Sequence, residues 1–131
     1  MNICIYGAGA IGGYLGAELA LAGNEVTLIA RGPHLEAMQE NGLTLVKEGE
    51  ARTVDVSCTD DPGQAGPQDH VIIALKAHSV TGIVEQITPL LGAATTVVTA
   101  QNGIPWWYFH KLQGSWEGHR LQSADPEGRI W

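Results

Sequence analysis

The stretch NICIYGAGAIGG, residues 2–13, decides how the rest of the chain is read. Asn2 to Tyr6 make a short apolar strand candidate that runs straight into glycines. From Ile11 to Ala22 the periodicity turns helical, with Ile11, Leu15 and Leu19 at four-residue spacing and Gly23 as the stop. Between strand and helix, Gly7, Gly9 and Gly12 fit G-x-G-x-x-G. That pattern suits a dinucleotide. The first glycine permits the tight turn, the second lets backbone approach a pyrophosphate, and the third lets the helix lie close to the strand. Ala8, Ala10 and Ile11 complete the turn, whose unpaired N–H groups and helix dipole favour phosphate. The competing reading is an ordinary strand–turn–helix with packing glycines, a role that suits Gly13 and Gly16. No G-K-[ST] follows, so this is not a P-loop.

Working outward, EVTLIA (25–30) reads as the next strand and PHLEAMQEN (33–41) as a short helix opened by Pro33 and closed by Gly42. Residues 44–58 suggest two strands around a Lys-Glu-Gly-Glu turn, and 60–69 a loop by composition. HVIIAL (70–75) and ATTVVTA (94–100) look like strands buried on both faces, with a helix predicted over 79–91 despite Pro89. Strands alternating with helices imply a Rossmann-type α/β fold, doubly wound, with a mainly parallel sheet and helices on both faces. Residues 1–103 form this nucleotide-binding domain. Residues 104–131 differ: aromatics fill positions 106–109, and HRLQS and GRIW flank ADPEG as a partial hairpin. Because that second strand begins as the sequence stops, the segment is expected to lead toward a further domain.

In NAD-binding units an acid near the end of the second strand holds the ribose hydroxyls; here Ala30 and Arg31 stand there. A guanidinium cannot accept those bonds, but it suits a 2′-phosphate, which points to NADPH and disfavours FAD. The competing reading of Arg31 is a solvated loop residue. Lys76 and Asn102 follow two buried strands, at the edge where such folds bind ligands. Lys76 could support the adenosine phosphate or ribose, or simply end a strand in water. Asn102 could bond the nicotinamide ribose or a substrate hydroxyl, or serve only the Asn-Gly turn. The five histidines show no ligand spacing; His78 and His110 could be general acids, but each of these two reads better as solvated. Asp60 and Asp61 read as turn formers, and no metal site is expected.

The chain's 131 residues carry a net charge of −7, so its field repels nucleic acid and anionic lipid, and an anionic ligand must be held locally. Cys4 and Cys58 read as buried free thiols rather than a disulfide. With no targeting segment and no membrane span in the sequence, a cytoplasmic protein is expected.

At ICIYGAGAIGGYLGAELALAG, LIARGPHLEAMQENGLTL, VIIALKAHSV and VVTAQNGIPWW the sequence resembles the amino-terminal domain of the ketopantoate reductases (2-dehydropantoate 2-reductases). The resemblance implies NADPH-dependent reduction of a 2-keto acid, ketopantoate to pantoate, on the route to coenzyme A. It assigns Gly7, Gly9 and Gly12 to the pyrophosphate and Arg31 to the 2′-phosphate. Lys76 falls beside the cofactor, and Asn102 at the ribose or substrate. It also implies a helical second domain carrying the lysine that protonates the carbonyl oxygen, so residues 1–131 alone should bind NADPH without appreciable turnover. Such a domain, or a homodimer partner, would cover Trp106–Phe109. Two other readings are a stand-alone NADP(H)-binding regulatory module and a related dehydrogenase for another 2-hydroxy acid.

Overall fold

The computed structural model describes residues 1–131. In chain order its first elements are β1 (Asn2–Tyr6), α1 (Ala10–Leu21), β2 (Glu25–Ile29) and α2 (Gly32–Asn41). Strands β3 (Leu43–Lys47), β4 (Glu50–Val54) and β5 (Ser57–Thr59) follow, then α3 (Pro62–Ala65), β6 (His70–Ile73), α4 (Ala77–Val80) and β7 (Thr96–Thr99). Five strands form one sheet in the order β5-β2-β1-β6-β7, and every pairing in it is parallel. The strand order reverses beside β1: the chain runs out through β2 to β5, then crosses back to β6 on the other side of β1, leaving a crevice at the carboxyl ends of β1 and β6.

Alternation along β1 divides the core. Ile3 and Ile5 join Val26 and Leu28 of β2 on one face, under Ala17 of α1 and Leu35 and Met38 of α2. Cys4 and Tyr6 join Ile29, Val71 and Ile73 on the other, under Val80, Ile83, Ile87 and Leu90. Chain therefore covers both faces, as the sequence pattern requires. Helix α1 does so differently from its periodicity. Ile11 is 62% exposed and Leu15 and Leu19 are half-buried, while Gly12, Gly16 and Ala17 make the close contact. A Cβ on Gly16 would stand 2.8 Å from Leu28 Cδ2, so this glycine serves packing.

Other expectations are corrected. The 44–58 region holds a third strand: β3 and β4 pair antiparallel as a separate hairpin, and β5 joins the parallel sheet. The 79–91 helix is broken. After four residues of α4 come 3-10 turns at Thr81–Ile83 and Thr88–Leu90, in a segment with Gly82, Pro89 and several β-branched residues. Burial on both faces fails in β6, where Ile72 is only half-buried, and in β7, an edge strand with Val97 and Val98 45% and 44% exposed.

The hairpin expected around ADPEG does not form either. Residues after Thr99 contain turns but no strand. Instead the buried Asp125 carboxylate accepts the N–H groups of Ile130 at 3.1 Å and Trp131 at 2.9 Å, folding the segment back on itself. Charge-assisted bonds to one carboxylate replace the ladder. No helix is long and apolar enough to cross a membrane.

Candidate functional site

A cleft of about 550 Å³ opens at the carboxyl ends of β1 and β2. Gly7, Ala8 and Gly9 form one wall, Ile29, Ala30 and Arg31 another, and Leu75, Ser79, Gly82, Ile83 and Gln86 a third. The sequence-predicted glycine turn and arginine thus meet in one cavity.

The three glycines are used for different reasons. Gly7 has φ +105°, which a side chain rarely adopts, and a Cβ there would lie 2.6 Å from Leu75 Cδ2. A Cβ on Gly12 would stand 1.8 Å from the Gly7 carbonyl oxygen, so α1 can begin this close to the turn only without one. Around a Cβ on Gly9 nothing lies within 4 Å. Its missing side chain relieves no protein clash but leaves the cleft wall as bare backbone. The Gly9 N–H has no acceptor in the protein. Bare backbone, an unpaired N–H and the start of α1 fit a pyrophosphate. Ala10 and the exposed Ile11 continue the turn into the first helical residues, outside the cleft lining.

Arg31 occupies the N-cap position of α2 and makes no salt bridge, so its guanidinium is free for a ligand. It is close enough to Tyr6 to oppose, in part, the rise that burial imposes on the phenol. Tyr6 stays protonated and donates to Gln86 Oε1 at 2.8 Å, tying β1 to the opposite wall. Asp60 lines the same cleft, which its reading as a turn former missed; its neighbour Asp61 does cap α3, accepting from Gly63 N at 2.9 Å.

Lys76 and Asn102 lie apart from this cleft. Lys76 is exposed at the N-cap position of α4, next to the lining residue Leu75. Asn102 borders a separate small cavity of about 30 Å³ with Gln101, Ala77 and Trp106. Gln101 Nε2 donates to the Leu75 carbonyl at 3.0 Å and so joins the two regions. Trp107 and Tyr108 are exposed, Trp106 and Phe109 half-buried, and the buried Trp106 indole N–H has no partner. His78 is exposed on α4, His110 stacks edge-on with Trp131, and His119 with Phe109.

His34, which carries no ligand spacing in the sequence, donates from Nε2 to the Ala8 carbonyl oxygen at 2.6 Å, from the third residue of α2 to the glycine turn. Both cysteines are free, and burial pushes the Cys4 thiol up to about 12, so neither supplies a disulfide.

The family model described as "Ketopantoate reductase PanE/ApbA" matches residues 3–106. A 2-dehydropantoate 2-reductase of Mesorhizobium japonicum is 54% identical over 132 residues, covering 100% of this chain and 40% of that protein. A solved structure from Ralstonia solanacearum MolK2, described as a ketopantoate reductase, superposes with TM-score 0.92 at 50% identity, covering 98% of this chain and 40% of the other. A D-mandelate dehydrogenase solved with NADH and anilino(oxo)acetate gives TM-score 0.73 at 29% identity, covering 80% and 35%. The chain spans about two fifths of the length of the first two.

Proposed function

The chain belongs to the ketopantoate reductase family, and on that premise we propose that it holds NADPH for the reduction of a 2-keto acid, ketopantoate to pantoate. The observation that carries this reading is that Arg31, which makes no salt bridge, lines the same cleft as the glycine turn. In this reading Gly9 and the start of α1 receive the pyrophosphate, and Arg31 donates to the 2′-phosphate. Lys76 supports the ribose or its phosphate, and Asn102 positions the nicotinamide ribose or substrate.

NADPH, when bound, supplies the hydride that reaches the keto carbon. The residues of this chain bind and orient that coenzyme. The proton for the developing alkoxide is assigned to a lysine of a helical second domain, since a charge-stabilising donor is needed at that oxygen. The same domain, or a second subunit, is proposed to cover Trp107 and Tyr108, and the protein is proposed to work in the cytoplasm. A second reading, another 2-keto acid as substrate, draws support from the likeness to D-mandelate dehydrogenase.

Fluorescence titration with NADPH and NADH tests the assignment. Arg31→Ala is expected to weaken NADPH binding by about ten- to hundredfold, as loss of a charge-assisted contact should, while hardly altering NADH. Equal losses for both coenzymes overturn it.

A further inference from the structure

We infer that His34 is a positioning residue for the coenzyme's pyrophosphate, acting by fixing the tilt of the Ala8–Gly9 peptide; the inference rests on the coenzyme reading above. A carbonyl oxygen only accepts, so the 2.6 Å contact requires the hydrogen on His34 Nε2. No other group donates to the Ala8 oxygen, and Ala8 is buried, so without the imidazole this carbonyl has no partner.

A trans peptide is planar, with its C=O and N–H pointing in opposite directions. Holding the Ala8 oxygen toward α2 therefore turns the Gly9 N–H the other way. That N–H, like the first N–H groups of α1 beyond it, has no acceptor in the protein, and it lies beside the open space around Gly9. His34 itself lines the cleft, and the role assigned to it is exerted through the donor that it fixes. The brace is anchored: Leu35 and Met38 bury α2 against the core, and Gln39 Nε2 donates to the Cys58 carbonyl at 3.0 Å. One short helix consequently carries Arg31 at its start and, three residues later, the group that sets the glycine turn. The two act on different parts of the ligand. Arg31 addresses the phosphate that only NADPH has; His34 addresses the pyrophosphate that both coenzymes share.

The test is titration of the protein with NADPH and with NADH, in wild type and in His34→Ala, His34→Phe and His34→Gln, with circular dichroism as the check on folding. Ala and Phe remove the donor, whereas Gln offers an amide N–H. Ala and Phe are expected to weaken both coenzymes by the same factor, about tenfold for one lost hydrogen bond, and Gln to restore most of the affinity. A loss confined to NADPH, unchanged binding in the Ala and Phe variants, or a folded Gln variant as weak as Phe each overturns the inference. If the Ala variant does not fold, the Phe and Gln pair decides. If wild type binds neither coenzyme, the coenzyme reading itself has failed and the inference falls with it. If wild type binds and the His34 variants bind equally well, only the inference has failed.

Discussion

Gly9 and Gly12 stand three residues apart in one turn, yet a methyl group added to each meets opposite surroundings. At Gly12 it would lie 1.8 Å from the Gly7 oxygen, and backbone would have to move. Gly12→Ala is expected to cost about 1–3 kcal/mol or more in urea unfolding, as overpacking does, and to reduce coenzyme binding as well. At Gly9 the methyl meets nothing, and φ −68°, ψ −169° is backbone that alanine adopts freely. Gly9→Ala should therefore change stability by less than about 0.5 kcal/mol while lowering affinity for NADPH and NADH alike. An unchanged affinity would mean that nothing approaches that backbone. The places of both glycines and of Arg31 are legible in sequence because they are set by spacing from a strand end. The contact of His34 is not. Its bond to Ala8 spans 26 residues and exists only after β1 and β2 pair and α2 is laid beside the turn. The motif ARGPH contains the residue but not the contact.

At the scale of elements, strand and helix order followed from periodicity, whereas burial did not. A run such as TTVVT reads as doubly covered, but nothing local tells a strand that it will stand at the sheet's edge, as β7 does. The 79–91 segment illustrates competition between levels. Its apolar spacing is satisfied, with Val80, Ile83, Ile87 and Leu90 all buried, while Gly82 and Pro89 weaken the regular hydrogen bonding that a single helix would need. The ADPEG region was misread for a similar reason: turn-rich residues between short apolar runs suit a hairpin, but one carboxylate takes the donors a ladder would use. Asp125→Ala is accordingly expected to release residues 126–131. Hydrogen exchange at the Ile130 and Trp131 amides should rise by about tenfold or more, reflecting loss of charge-assisted bonds, while exchange in β1 stays unchanged. Protection that persists at both amides would show that the Trp131 contacts with Trp106 and His110 suffice without the carboxylate.

For the molecule as a whole, the buried Cys4 thiol links stability to alkaline pH. Burial raises it from 9.0 to about 12, so the folded state retains a proton that the unfolded chain gives up earlier. That contribution is complete below pH 9.0 and is lost as pH rises toward about 12, at up to about 1.4 kcal/mol per pH unit. Urea unfolding across this window should show the decline, and Cys4→Ala should flatten it. The flattening should be partial, because burial raises Tyr6 in the same direction. An identical slope in the variant would assign the decline to other groups.

Strand β1 has neighbours hydrogen-bonded along both its edges, and the glycine turn is its direct continuation. Freeing that turn means unzipping two ladders at once, an event that belongs to melting of the entire cooperative unit rather than to local fraying. A protease, which needs an extended segment, should thus cut the backbone that follows β1 only in molecules that have already come apart.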